Sequence, residues 1–303
     1  MEHVFRESIR TWGLDDEQWI SRASSGRTRV PAACLMSIWL VLGLSLLPGL
    51  GNLAGGMAAE FIKTSQRLLN WALHAASGIV IGVVAIELMP EALQNLAGWW
   101  IALAFTSGGL AYAGTEQLLE RFGAGEGRGS GGTGMWMIYV AVAVDLSGDG
   151  LMIGSGSAVG VALAVVLAAG QVLADVPEGY SVVANMRANK VPRRTRILTS
   201  LSFPLYCVGV ALLAYFLLRD APDAAKYVAL SFVAGLLSVA AVEDMLEEAH
   251  EAKADSRAST LAFVGGFALF TLVSAGLETV MGPASSAGGE QSSQSASQSE
   301  ARP

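Results

Sequence analysis

Charge is scarce in this 303-residue chain. Asp, Glu, Lys and Arg make up 15% of it, against about a quarter in soluble globular domains. That is too little polar surface for a water-soluble fold, and 52% of the residues are hydrophobic. Cysteine is scarcer still: Cys34 and Cys207 both lie in apolar segments, with no CxxC spacing and no disulfide framework. A basic face is also missing. The formal net charge is −7, which excludes a nucleic-acid binder of the usual cationic kind. No cleavable signal peptide is expected, because the first apolar run begins only after Arg29. These absences leave an all-α polytopic membrane protein whose acids need neutralising.

A membrane helix needs about 20 predominantly apolar residues. Runs of that kind fall at 30–61 (with a Pro48-Gly49 break), 68–93, 99–119, 197–218, 227–248 and 261–281. Residues 135–186 contain no Lys or Arg and are long enough for two more, meeting near 155–160 in a short connection around Ser155-Gly156-Ser157. The expectation is eight transmembrane helices within 30–282. A polar arm (1–29) precedes them, a Gly-rich cytoplasmic loop (120–134) interrupts them, and a disordered Ser/Gln-rich tail (283–303) follows. The basic residues Lys63, Arg67, Arg121, Arg128, Arg187, Lys190, Arg193, Arg194, Arg196, Lys253 and Arg257 fall in alternate connections. The preference of Lys and Arg for cytoplasmic loops then places both termini outside, although Arg22, Arg27 and Arg29 in the arm point the other way.

Acids interrupt the apolar runs. Asp145 and Asp149 fall mid-way through the fourth, Asp175 and Glu178 through the fifth, Glu87 late in the second, and Glu243 with Asp244 in the seventh. Placing one such acid at the bilayer centre costs at least about 2.5–3.5 kcal/mol, so these residues face a cavity or a partner. The spans offer them no Lys or Arg, which leaves protons or metal ions. Asp145 and Asp149 are spaced i, i+4, and Gln171, Asp175 and Glu178 are spaced i, i+4, i+7. Each set therefore shares one helix face. Pro177 removes the N–H that would bond the Leu173 carbonyl and so frees another oxygen. Ser147-Gly148-Asp149-Gly150 loosens the fourth helix in a similar way.

These elements resemble a family. Asp145-Leu-Ser-Gly-Asp-Gly150 and Asp175-Val-Pro-Glu-Gly179 are similar to the fourth- and fifth-helix signatures of the ZIP (Zrt/Irt-like) metal transporters, which usually read HNxPEG and HExPEG. Glu87-Leu-Met-Pro-Glu91 resembles the end of that family's second helix, and Glu243-Asp-Met-Leu-Glu-Glu-Ala-His250 its seventh-helix stretch. The resemblance covers roughly 31–282. It implies a ZIP-like bundle with a metal site between the fourth, fifth and seventh helices. Asp145, Asp149, Glu178 and Asp244 would hold a first ion, and Asp149, Asp175, Glu178 and Asp244 would hold or bridge a second. Asp145 and Ala174 stand where the family usually has His, Leu146 replaces Asn, Gly148 replaces Pro, and Glu243 falls at a further His position. The second position is short of ligands, so a single main site is an alternative.

Losing imidazole shifts the chemistry towards harder cations, since carboxylate, carbonyl and water suit manganese better than histidine-rich sites do. Manganese and ferrous iron lead, with zinc retained because it accepts carboxylates. The expected function is uptake of such a divalent metal, as substrate, into the cytoplasm. So many close carboxylates cannot all ionise around one divalent ion, which implies exchange of protons. Glu87 and Glu91 would form an outer vestibule, Glu243, Glu247, Glu248 and His250 an inner exit, and His74 either a pathway ligand or a packing residue. Partners are the lipid bilayer and the metal, with homodimerisation left open; no organic cofactor and no nucleic acid are expected. The setting is a prokaryotic inner membrane. The alternatives are a non-transporting metal sensor and a proton-coupled exporter or channel on the same fold. An intramembrane aspartyl protease is disfavoured, because Leu146 occupies the first glycine position of GxGD and no YD or PAL element occurs.

Overall fold

The computed structural model describes residues 32–63, 65–119, 132–242 and 256–281. Eight helical segments follow in chain order: α1 (Ala32–Phe61), α2 (Gln66–Asn95), α3 (Gly98–Leu119), α4 (Gly132–Val159), α5 (Val161–Ala188), α6 (Arg193–Leu218), α7 (Asp223–Ala240) and α8 (Ser256–Met281). There is no strand among the described residues. Six of them (α1, α2, α5, α6, α7 and α8) are long and apolar enough to cross a membrane, which makes this an integral membrane protein. α3 and α4 are also long enough to cross; α4 carries Asp145 and Asp149 among glycines and serines. Of the unit Met1–Trp39, the described residues are the start of α1; the remaining elements belong to Leu40–Pro303. α4 starts at Gly132, inside the stretch read from the sequence as loop.

Local chemistry explains the breaks and ends. Ser65 caps α2, its hydroxyl accepting from the Leu68 N–H at 3.3 Å. Within α2 a π-helical turn spans Val83–Leu88 immediately before Pro90, where the ordinary ladder loses a donor. α5 closes with Lys190 at φ 60°. The Val191 N–H bonds the Met186 carbonyl and the Lys190 N–H the Arg187 carbonyl, both at 3.0 Å. That is the double closure of a Schellman end, and Met186 and Val191 also pack in one apolar cluster.

The turn between α4 and α5 is shorter than the sequence suggested. Ser155-Gly156-Ser157 remains helical, with Ser155 and Ser157 hydroxyls donating to the Met152 and Ile153 carbonyls at 3.1 and 2.6 Å. A single extended residue, Gly160, makes the connection. One residue of slack forces α4 and α5 to be neighbours.

Small residues let backbones touch. A β-carbon at Gly78 of α2 would run into the Phe263 carbonyl of α8, and one at Gly266 of α8 into the Ala75 carbonyl of α2. The main apolar core joins α2, α5 and α7 with Met152, Ile153 and Phe270. Large apolar residues on α6 and α8, such as Leu205, Leu213, Leu217, Leu261 and Leu272, are exposed, as a lipid-facing surface requires.

One end of the bundle is tied by ions. Glu60 near the end of α1 is paired with Arg196, whose Nη2 lies 2.9 Å from Oε2, and with Arg193 at 3.4 Å. The Glu60 and Arg196 side chains are only 4% and 10% exposed. Arg187 donates to the Ala59 carbonyl and Tyr180 to the Ile62 carbonyl, each near 3 Å. Arg196, counted with a loop in the sequence, lies inside α6 and neutralises an acid of α1.

Candidate metal centre

α4 and α5 bring four acids and an amide together. Asp149 and Asp175 are 0% exposed, Gln171 1% and Glu178 8%. Asp145 is partly exposed, but its Oδ2 is buried. The Asp145 and Glu178 carboxyls lie within electrostatic range of each other, as do Asp149 and Asp175 of one another and of Asp145. The two spacings read from the sequence therefore do place their side chains in one region.

The hydrogen bonding of this region is lopsided. Gln171 Nε2 donates to Asp175 Oδ1 at 3.1 Å. Seven buried oxygens have no partner: Asn52 Oδ1, Asp145 Oδ2, Asp149 Oδ1 and Oδ2, Gln171 Oε1, Asp175 Oδ2 and Glu178 Oε2. Among the described residues, every buried side-chain nitrogen or oxygen lacking a hydrogen bond belongs to this group. Leaving one such atom unsatisfied costs about 1–3 kcal/mol, so a set composed only of acceptors is an environment for cations or protons. Its donor set, all oxygen, fits a hard divalent ion. No three of the described His, Cys, Asp and Glu side chains are gathered tightly enough to enclose an ion by themselves. Asn and Gln oxygens are part of the polar set here, and Asp244, expected from the seventh helix, lies outside the described residues.

Asn52 of α1 was not singled out in the sequence. It is fully buried, and its Nδ2 donates to Glu178 Oε1 at 3.4 Å. Its only signal was an amide within an apolar run, four residues after Pro48. Glycine makes the approach feasible: a β-carbon at Gly179 of α5 would strike the Asn52 backbone.

The expected pathway residues sit elsewhere. Glu87 is half-buried in the π turn of α2, where the Ser274 hydroxyl of α8 donates to it. Glu91 begins the last turns of α2 and is half-buried. His74 is buried, its Nδ1 2.9 Å from the Asn70 carbonyl, and Asn70 accepts from Ser259 of α8 at 2.8 Å. That places His74 at the α2–α8 contact. Glu243, Glu247, Glu248 and His250 lie outside the described residues, as do 1–31, 120–131 and 282–303.

No protein-family model matches the chain. A zinc transporter, ZupT, of Akkermansia muciniphila is 37% identical over 84 residues, which is 25% of this chain and 31% of that protein. The chain thus spans about a third of the relative it matches.

Proposed function

We propose that the chain carries a divalent transition metal (manganese, ferrous iron or zinc) across the membrane into the cytoplasm, through an intramembrane oxygen site. The observation that carries this reading is the group of seven unpaired buried oxygens on α1, α4 and α5. The partial similarity to a zinc transporter supports the substrate class, and the carboxylate-rich donor set supports manganese or iron ahead of zinc. All eight helices span the bilayer in a ZIP-like arrangement, both termini lie outside, and the membrane is a prokaryotic inner membrane. No catalysis is involved.

Asp145, Asp149, Asp175, Glu178 and Gln171 hold the ion, and Asp244 joins them from the seventh helix. One divalent cation balances only two carboxylates, so the entering metal displaces the protons of the acids that bind it while the remaining acids keep theirs. Glu87 and Glu91 gather cations on the outer side, and Glu243, Glu247, Glu248 and His250 line the exit. The test is uptake of Mn²⁺, Fe²⁺ and Zn²⁺ into proteoliposomes with an internal pH dye. Uptake lost in both Asp149→Ala and Glu178→Ala supports the reading. Unchanged uptake in both overturns it, and metal flux without proton movement removes the exchange step.

A further inference from the structure

Resting on the metal reading above, we infer that Asn52 supplies a neutral oxygen ligand from α1 and sets which divalent ion the site prefers. Asn52 and Gln171 are built alike. Each is buried, each gives its amide N–H to a carboxylate of α5 (Glu178 Oε1 for Asn52, Asp175 Oδ1 for Gln171), and each keeps its own oxygen unpaired. With metal bound, Glu178 is an ionised acceptor that cannot donate, so the amide turns its nitrogen towards it. Turning the amide nitrogen towards Glu178 leaves Asn52 Oδ1 as the free end, and Glu178 Oε2 is unpaired as well. The same amide thus steadies Glu178 through its nitrogen and brings an unpaired oxygen into the group, and the two roles are separated by the metals they affect.

A neutral oxygen does something that a further carboxylate cannot: it raises the number of ligands without adding charge. Higher oxygen coordination suits manganese, whereas zinc is satisfied by four ligands. Removing the Asn52 oxygen therefore penalises manganese more than zinc. α1 is held for this purpose by close contact with α5, where a β-carbon at Gly51 would meet the Val172 carbonyl at 3.0 Å and the Asp175 β-carbon at 3.3 Å.

The experiment is calorimetric titration of the full chain in detergent with MnCl₂ and, separately, ZnCl₂, for the wild type, Asn52→Leu, Asn52→Ser and Asn52→Asp. In Asn52→Leu the ratio of manganese to zinc affinity is expected to fall by about tenfold or more. Asn52→Asp, which keeps an oxygen but loses the N–H to Glu178, is expected to retain manganese binding. Asn52→Ser replaces Asn52→Leu should the latter fail to fold, with the same expected fall. Equal weakening of both metals, in either truncation or in Asn52→Asp, assigns Asn52 to positioning Glu178 and overturns the inference; so does an unchanged ratio. Wild-type protein that binds neither ion, or a Glu178→Gln variant that binds both normally, overturns the metal reading itself and is recognisable as such.

Discussion

The contact between α1 and α5 is open to a perturbation of a single methyl group. At Gly179→Ala the new β-carbon would lie 2.6 Å from the Asn52 carbonyl carbon and 2.7 Å from its Cα, and nearer still to its oxygen. Carbon atoms settle about 3.5–4.0 Å apart, so the two helices must separate locally by about 1 Å. The Asn52–Glu178 hydrogen bond is already 3.4 Å long and does not survive that movement. Overpacking of this kind costs about 1–3 kcal/mol, while alanine in place of a helical glycine returns about 0.5–1 kcal/mol. The steric cost wins, leaving Gly179→Ala less stable. Gly276→Ala on α8 is the control, because nothing lies within 4 Å of a β-carbon there; it is expected to gain the helical term alone. Thermal unfolding of both variants in one detergent measures the difference, and metal titration of Gly179→Ala is expected to show about 10–100-fold weaker binding. If Gly179→Ala is as stable as Gly276→Ala and binds metal normally, the close approach of α1 has no role in the site.

Asp149 has both carboxylate oxygens buried and unpaired, so Asp149→Asn should raise the melting temperature of metal-free protein while abolishing metal binding, the opposition expected when a site is kept at a cost to stability. Lys190 holds φ 60° at the end of α5, and Lys190→Gly is expected to stabilise by about 1 kcal/mol, read by thermal unfolding. Arg196→Leu leaves Glu60, with a side chain 4% exposed, without its principal partner. A loss of about 3–5 kcal/mol is expected by the same assay, largely restored by Glu60→Leu in the double variant.

Helix positions were readable because lipid removes the ambiguity of a soluble core: an apolar run long enough to cross has few alternatives. The acids of α4 and α5 stood out for the converse reason, a high cost without a basic partner nearby. Asn52 escaped notice because a neutral amide carries no such cost in composition, and its meaning depends on Glu178, 126 positions away. The α4–α5 turn falls within the 155–160 stretch read from the sequence, but at Gly160 instead of Ser155-Gly156-Ser157, because serine side chains can bond back to their own helix, which hid the continuation through Ser157. Arg196 reads as loop in the sequence because helix ends blur there; the helix in fact begins at Arg193, and a charge at its start is held by Glu60.

The seven unpaired oxygens make the location of the bound ion the most direct test. Crystals of the purified protein soaked in MnCl₂ and measured at the manganese absorption edge are expected to show an anomalous peak among Asn52, Asp149, Asp175 and Glu178. Strong peaks confined to other parts of the molecule, with none inside this group, would contradict an intramembrane oxygen site.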